Sequence, residues 1–353
     1  MQTQTELYHL IREGRPDLPD DTINEWVRLL SQLKGCHLQS TIAQSQDQEA
    51  WLKARTKGIG GSEIACIAGK SPWSSAHQIW MKKTGQFDDI NGGQQSEQAR
   101  WGNLLETTIA QEWAHRNDRQ YINIPVILAS DEYPFMFANI DGFVLSDDGS
   151  TLEQILEIKT TSAYNQSVWE YGPIPEYYRC QTNWYCMITG MPCFTIVCLV
   201  GGQHMYDLGL PVDKGLCEEL KAAAIEFWEV NVKQMIEPKM QAADMPELKA
   251  QADTVDTEDV EPTVLPDDES ENLAEAYCNI RAKISALTKV QEAIKAQLLE
   301  KIVCTRQGIT KTHTLTLSKQ SRRSCDFDAL EDLYPEAYSD CIKTNISSVF
   351  KVN

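Results

Sequence analysis

The sequence lacks a long apolar run, a closely spaced cysteine pair and a secretory leader. No hydrophobic stretch approaches the ~20 residues that span a bilayer. The first residues, Met1-Gln2-Thr3-Gln4, lack the basic and apolar regions of a signal peptide. The eleven cysteines contain no Cys-x-x-Cys pair, and their odd number favours reduced, mostly buried thiols. These absences predict a cytoplasmic protein without membrane contacts.

The sequence also lacks the positive charge that is typical of proteins with strong non-specific affinity for DNA. Its formal net charge is −19, but the acids are unevenly distributed. Residues 241–275 hold twelve Asp and Glu and one lysine, whereas residues 51–119 hold nine Lys and Arg and seven Asp and Glu. The acidic balance therefore disfavours tight non-specific DNA binding without excluding an enzyme that acts on DNA.

Two short motifs place carboxylates and an amine on what the sequence predicts to be a β-hairpin. Residues 135–145 and 151–160 have strand composition, and the Asp148-Gly149 pair between them is typical of a hairpin turn. Folding the chain there puts Asp141 roughly opposite Glu157, with cross-strand Cβ atoms about 4.5–5.5 Å apart. Lys159 shares a face with Glu157 because strand side chains alternate. Three ionisable groups are thus expected to converge.

Carboxylates this close repel each other unless a cation lies between them. Hard oxygen ligands suit Mg²⁺ or Mn²⁺, so the hairpin is a candidate metal site. The alternative interpretation is a surface hairpin with an ordinary ion pair.

Three other segments carry candidate functional residues. Gly60-Gly61-Ser62 resembles the start of a helix with Ser62 as its N-cap. Because a helix N-terminus attracts phosphate, this segment is a candidate phosphate site, and Arg55 could add a bidentate contact. Glu106 neighbours the apolar stripe of a helix predicted over 101–116, and Gln181 interrupts the apolar face of a helix predicted over 176–188. Each has a structural alternative. Ser62 could simply begin an ordinary capped helix, Glu106 could be a partly exposed salt-bridge partner, and Gln181 could be a core glutamine with its hydrogen bonds satisfied.

The order and spacing of these motifs resemble one branch of the PD-(D/E)xK nucleases. The pattern Asp141…Glu157-Ile158-Lys159 is weakly specific alone, but it is accompanied by motifs before and after it. These are Trp51-Leu52-Lys53-Ala54-Arg55, Gly58-Ile59-Gly60-Gly61-Ser62-Glu63, Trp101-Gly102 with Glu106, and Tyr178-Arg179-Cys180-Gln181-Thr182-Asn183-Trp184-Tyr185 with Thr189-Gly190. From about Gln48 to Gly201, the chain is similar to the YqaJ-type phage recombination exonucleases, relatives of lambda exonuclease.

The resemblance implies a role for each matching residue. Glu106, Asp141, Glu157 and the backbone carbonyl of Ile158 would bind metal, with two Mg²⁺ (or Mn²⁺) ions per active site. Lys159 would orient or activate the attacking water, and Gln181 would support the lysine or the water. The residues that would hold a DNA 5′-phosphate are Arg55 and Ser62.

The resemblance also implies a fold and an activity. The expected fold is an α/β, restriction-endonuclease-like core with a mixed central sheet flanked by helices. The expected activity is processive, Mg²⁺-dependent 5′→3′ degradation of one strand of linear double-stranded DNA. The resulting 3′ overhangs would serve phage-type homologous recombination. The resemblance further implies that three copies of the chain form a ring around the DNA and that a single-strand annealing protein is the partner. The implied location is the cytoplasm, which would be that of the host if the protein is phage-encoded.

Composition divides the chain into four parts. Residues 1–45 are predicted to be a helical segment, 46–240 the nuclease domain with a long helix over 212–240, and 241–270 an acidic linker. Residues 271–353 form a C-terminal extension with a long helix and a small α/β module. Apolar residues in this helix recur over four heptads, interrupted by Gln291. The helix either packs on its own domain or offers a seam for self-association or a recombination partner.

Two other functions remain open from the residues themselves. A structure-specific or restriction-like endonuclease could use the same core. A non-catalytic interaction protein could use the heptads, with the hairpin serving only a structural role. Retention of every expected core residue argues against the latter.

Overall fold

The computed structural model describes residues 2–42, 47–86, 96–254, 263–321, 324–342, 350 and 352. It divides into two compact units, Met1–Pro246 and Glu247–Asn353. Helices of the first unit are α1 (Gln4–Gly14), α2 (Asp20–Leu30), α3 (Gln48–Arg55), α4 (Gly61–Ile67), α5 (Ala76–Thr84), α6 (Glu97–Asn117), α7 (Gln166–Tyr171), α8 (Glu176–Thr189) and α9 (Lys214–Glu226). Its strands are β1 (Cys36–Ser40), β2 (Tyr121–Ile122), β3 (Ile127–Ser130), β4 (Phe137–Ala138), β5 (Gly142–Leu145), β6 (Leu152–Thr161), β7 (Cys193–Val200) and β8 (His204–Pro211).

A five-stranded mixed sheet forms the centre of the first unit. Its strand order is β2-β5-β6-β7-β8, with β6 and β7 parallel and the other pairs antiparallel. Alternation along β6 turns Leu156 and Ile158 toward the cluster that contains Ile109 of α6, and turns Ile155 toward the cluster that contains Trp184 of α8. The predicted α/β fold, a mixed central sheet flanked by helices, is confirmed.

The N-terminal segment, as described over residues 2–42, belongs to the same core as the central sheet. Buried Ile11 of α1 and Trp26 of α2 lie in one apolar cluster with Leu128 and Ile155, and β1 pairs with β3. The division expected near residue 45 therefore does not appear in the structure. Two short amphipathic helices cannot bury their apolar faces alone, and the sheet supplies the surface they need.

The predicted strand over 135–145 is wrong, because it is two strands in different sheets. β4 belongs to a three-stranded antiparallel sheet, β1-β3-β4, whereas β5 belongs to the central sheet. The chain changes sheets between Ala138 and Gly142. Both strands are apolar and buried, so composition alone does not reveal the change.

The long helix predicted over 212–240 ends early. Helix α9 continues into a π-helical turn, Phe227–Val232, and Met235 then adopts a positive φ of 58°. The backbone carbonyl of Asn231 accepts a hydrogen bond from the Trp80 indole at 2.9 Å. The side-chain amide of Asn231 donates to the backbone carbonyl of Ile236 at 2.9 Å. These contacts favour a turn over further helix.

The beginning of the predicted linker is ordered on the first unit. Asp244 is 1% exposed and accepts a hydrogen bond from the hydroxyl of Ser75, the N-cap of α5. The Gln241 side chain accepts from the backbone N–H of Ala76 at 3.0 Å. Helix α10 (Met245–Asp253) follows. The predicted acidic linker over 241–270 therefore begins with structured residues, a 3₁₀ turn at Ala242–Asp244 and helix α10.

The second unit contains α11 (Asp268–Ile302), β9 (Gln307–Ile309), β10 (Thr314–Thr316), α12 (Phe327–Leu333) and α13 (Pro335–Cys341). The predicted small module is an antiparallel β9–β10 hairpin followed by two helices. A single helix predicted over 327–338 is wrong, since Pro335 keeps Tyr334 out of helical geometry, with φ −141° and ψ 58°.

Helix α11 exposes its heptad residues. Each has at least 37% of its surface accessible, and the set is Leu273, Tyr277, Ile280, Ile284, Leu287, Ile294 and Leu298. We call this set the heptad seam. Within the second unit, the Tyr277 ring contacts the Phe350 ring edge to face, with ring centres 5.7 Å apart. In the described part of the chain, no helix is both long and apolar enough to cross a membrane.

Candidate active site

Asp141 and Glu157 lie side by side at the junction of β5 and β6. Gly142 pairs with Leu156 in the antiparallel β5–β6 pair, so Asp141, which precedes Gly142, lies beside Glu157, which follows Leu156. The backbone N–H of Ile158 donates to Asp141 Oδ2 at 2.8 Å, and this hydrogen bond holds the Asp141 side chain against strand β6. The Glu157 side chain is buried completely, at 0% exposure. The cross-strand position predicted for the two acids is realised.

Lys159 and Gln181 both donate to the same oxygen of Glu157. The Lys159 Nζ ammonium donates to Glu157 Oε1, and Gln181 Nε2 reaches it from α8 at 2.5 Å. Lys159 also lies over the Tyr178 ring, 5.3 Å from its centre. The other oxygen, Glu157 Oε2, is buried without a hydrogen-bond partner in the described chain. Glu157 Oε1 therefore accepts two hydrogen bonds, whereas Glu157 Oε2 is available to a ligand.

The electrostatics show that a third carboxylate belongs to this cluster. Burial raises the pKa of Glu157 to about 8, and the nearby Asp141 charge adds to the shift. Burial likewise raises the pKa of Glu106 to about 8, again with a contribution from Asp141. Burial raises the pKa of Asp141, against the opposing influence of Lys159. Glu106 reaches the cluster from α6, so the structure brings together the three acids that the sequence singled out.

Lys159 is the positive charge among these acids. Burial alone would lower the pKa of its ammonium, but Glu157 and Asp141 reverse this and raise it above its usual value. One ammonium cannot neutralise three carboxylates. Full ionisation of the three acids would leave excess negative charge in a buried position, which burial opposes by raising their pKa values and which a divalent cation would offset.

The donor set fits a hard divalent cation. It consists of carboxylate oxygens, including the unpartnered Glu157 Oε2, and Mg²⁺ and Mn²⁺ prefer such ligands. As the side chains stand, no group of three His, Cys, Asp or Glu residues within the described ranges is spaced to hold a metal ion. Lys159 donates to Glu157 Oε1, which leaves Glu157 Oε2 as the oxygen of this residue that could bind an ion.

Arg55 and Ser62 meet at the start of α4. Arg55 Nη2 donates to Ser62 Oγ at 2.8 Å, and the guanidinium lies 4.6 Å from the centre of the Trp51 ring. The expectation that Ser62 caps the helix is wrong, because Gly60 is the N-cap and the Glu63 side chain accepts from its N–H at 2.8 Å. Ser62 Oγ is therefore not used as a cap and pairs with Arg55.

A buried lysine that the sequence analysis missed holds this segment. Lys83 is 3% exposed at its side chain and donates to Glu63 at 2.8 Å and to the backbone carbonyl of Arg55 at 2.9 Å. Burial holds the pKa of Lys83 below its usual value despite the Glu63 partner. No local pattern distinguishes Lys83 from the adjacent Lys82, so only the fold identifies it.

We expect Lys83→Met to destabilise the first unit by about 3–5 kcal/mol, because it leaves the capping Glu63 without its buried partner. Thermal unfolding of the full chain measures this effect. The control is Lys233→Met, which breaks an exposed pair with Glu229 and should change stability by less than about 1 kcal/mol. Equal melting temperatures for the two variants would contradict the importance of the Lys83 contact.

A family model and one curated relative are similar to this chain. Residues 50–192 match the YqaJ-like viral recombinase domain, and this range contains all eight predicted site residues. The chain is 29% identical over 295 residues to the protein YqaJ of Bacillus subtilis (strain 168), covering 82% of this chain and 89% of that protein.

Two solved structures are also similar. An alkaline exonuclease, LHK-Exo from Laribacter hongkongensis, is 17% identical, covers 53% of this chain and 95% of its own, and has a TM-score of 0.43. A phage-related exonuclease from Haemophilus somnus 129PT is 12% identical, covers 51% of this chain and 96% of its own, and has a TM-score of 0.33.

Proposed function

From the match of residues 50–192 to the YqaJ-like viral recombinase domain, we propose that this chain is a metal-dependent deoxyribonuclease. The specific activity we propose is 5′→3′ exonuclease digestion of one strand of linear double-stranded DNA. The observation that carries the proposal is Glu157, completely buried, with one oxygen held by Lys159 and Gln181 and the other unpartnered beside Asp141. A buried carboxylate oxygen is costly to leave without a hydrogen-bond donor or a cation, and Glu157 Oε2 lacks a hydrogen-bond donor in the described residues.

The proposed metal ligands are Glu106, Asp141, Glu157 and the backbone carbonyl of Ile158. When bound, two Mg²⁺ or Mn²⁺ ions would polarise the phosphodiester and favour ionisation of the attacking water. The hydrogen bond from the Ile158 N–H orients the Asp141 carboxylate before any ligand arrives. The site is thus held in position by backbone as well as side-chain contacts.

Lys159 and Gln181 have complementary proposed roles. Lys159 keeps its proton because the acids raise its pKa, so its ammonium can stabilise negative charge that develops on the phosphate. Gln181 donates to Glu157 from the opposite helix and prevents the carboxylate from rotating. Together they leave Glu157 Oε2 as the oxygen that would bind a metal ion.

The proposed 5′-phosphate site is formed by Arg55 and Ser62. Their mutual hydrogen bond presents a guanidinium and a hydroxyl together, and a phosphate could accept from both. The Trp51 ring and the Lys83 contact to the Arg55 carbonyl restrict the arginine.

Wild-type protein should degrade 5′-phosphorylated ends at least about 10-fold faster than 5′-hydroxyl ends, since loss of a charge-assisted phosphate contact costs about 1.5–3 kcal/mol. Arg55→Ala should remove most of this preference without affecting the slow reaction on hydroxyl ends. The control is Arg116→Ala, which removes an exposed arginine of α6. Equal rates on both ends by wild-type protein would eliminate the proposed phosphate role.

Digestion of linear and covalently closed circular duplexes, with and without Mg²⁺, tests the main proposal. An exonuclease degrades the linear DNA only, and only with the metal. Cleavage of closed circles would instead support the endonuclease alternative, since the acidic cluster could serve either reaction. A non-catalytic protein would leave both substrates intact under all conditions.

The product of the proposed reaction is a 3′ single-stranded overhang, the substrate of strand annealing. We therefore propose a single-strand annealing protein as the functional partner and a ring-shaped homotrimer as the source of processivity, acting in the cytoplasm. The exposed heptad seam of α11 is the candidate surface for self-association or for the annealing partner, because seven apolar side chains at coiled-coil spacing favour a second helix.

A further inference from the structure

Tyr185 lies between the acidic cluster and the Arg55–Ser62 pair. It is 3% exposed on α8, one helical turn after Gln181. Its hydroxyl accepts a hydrogen bond from Gln181 Nε2 at 3.1 Å. The same amide nitrogen donates to Glu157 Oε1, so both N–H groups of Gln181 have acceptors. Tyr185 thereby completes the hydrogen bonding that orients the amide toward Glu157.

The opposite edge of Tyr185 contacts Gly61. A Cβ atom added at Gly61 would lie 2.3 Å from Tyr185 Cε1 and 2.9 Å from its hydroxyl oxygen. Only glycine permits this approach, and Gly61 directly precedes Ser62, whose hydroxyl accepts from Arg55. The tyrosine ring therefore separates the start of α4 from the Gln181 amide without a gap.

We propose that Tyr185 is a positioning residue that sets the distance between the 5′-phosphate-binding pair and the acidic cluster. It acts through two contacts, the ring against Gly61 and the hydroxyl on Gln181. This inference rests on the proposed nuclease function and deepens it. An exonuclease that binds a terminal phosphate must also place the next phosphodiester at the metal site. The distance between the Arg55–Ser62 pair and the acidic cluster therefore determines the rate of cleavage.

The magnitude follows from the sensitivity of catalysis to placement, where an error of about 1 Å can reduce the rate about 100-fold. The hydrogen bond described for the Tyr185 hydroxyl is to Gln181, and burial keeps the side chain from the solvent from which DNA arrives. Its substitution is therefore expected to lower kcat and to leave KM for the DNA end nearly unchanged.

Tyr185→Phe tests the hydroxyl contact, because it keeps the ring against Gly61 and removes only the acceptor for Gln181. We expect kcat on a 5′-phosphorylated linear duplex to fall about 10-fold at unchanged KM, as one hydrogen bond corresponds to about 1–1.5 kcal/mol. The matched control is Tyr8→Phe, which removes a hydroxyl that donates to Asp20 at 2.8 Å in the N-terminal helices. Wild-type kcat in Tyr185→Phe would overturn the hydroxyl role.

A double-mutant cycle with Gly61→Ala tests the ring contact in the full chain. Gly61→Ala forces its Cβ into Tyr185 and should lower kcat about 100-fold. In a Tyr185→Leu background, where the ring is gone, the same substitution should cost less than about 5-fold. Equal costs in both backgrounds would overturn the proposal. If the wild type cleaves no DNA, the proposed function fails instead, so the two failures are distinguishable.

Discussion

Lys159→Ala should reduce DNA cleavage at least about 1,000-fold while the protein still binds DNA. The Lys159 ammonium donates to Glu157, and removal of one preorganised electrostatic contact at a reacting centre typically costs a factor of about 100–1,000. The variant also leaves Glu157 and Asp141 without their neutralising neighbour, which disturbs the carboxylates as well. The combined loss is therefore expected at or beyond the upper end of that range.

Initial rates on end-labelled linear duplex measure the loss, and a mobility-shift titration at the same ionic strength measures binding. Lys233→Ala, at an exposed lysine outside the site, is the control and should retain the wild-type rate. A thermal melt of each protein separates loss of chemistry from loss of folding. Substantial cleavage by a folded Lys159→Ala protein would mean that the reaction takes place elsewhere on the chain.

Removal of divalent cations should abolish cleavage, and addition of Mg²⁺ or Mn²⁺ should stabilise the folded protein. A metal at 100 times its dissociation constant stabilises the state that binds it by about 2.7 kcal/mol. The expected origin of this gain is the buried acidic cluster, whose carboxylates repel each other without a cation. Melting temperature with and without metal detects binding independently of activity.

Two variants on one helix make this test specific. Glu106→Gln removes a carboxylate of the cluster, whereas Glu112→Gln removes an exposed carboxylate of α6 that pairs with Arg116. Glu106→Gln should lose most of the metal-dependent rise in melting temperature, and Glu112→Gln should keep it. The same rise in both variants would mean that the metal binds at another site.

Local sequence patterns were sufficient to predict the acidic centre. The Asp-Gly turn and the alternation of β6 determine that Asp141 meets Glu157 and that Lys159 shares its face, because both rules depend on near neighbours. Gln181 could be recognised as a polar residue on an apolar helical face. The helices around these residues also have strong periodicity, and α8 spans Glu176–Thr189, close to its prediction.

Features that depend on distant parts of the chain could not be predicted in the same way. Lys83 and Tyr185 contact residues 20 or more positions away, at Glu63 and Gly61. Lys83 has no distinctive local pattern, and the motif that contains Tyr185 does not indicate its contact with Gly61. The change of sheets before Asp141 is invisible because strands β4 and β5 have the same apolar character. Serine's preference for the N-cap position predicts Ser62 there, whereas the hydrogen bond from the Gly60 N–H to the Glu63 side chain favours Gly60.

The buried Asp244 determines how the protein can be divided for biochemical work. Composition would recommend cutting at Met240, ahead of the acidic stretch, but that cut removes the residue to which Ser75 donates and the Gln241 side chain that binds the Ala76 N–H. Helix α5, which carries Lys83, would then lose its N-terminal anchor. A shortened protein that ends after Pro246 retains these contacts, and it is the smaller fragment in which nuclease activity should be sought.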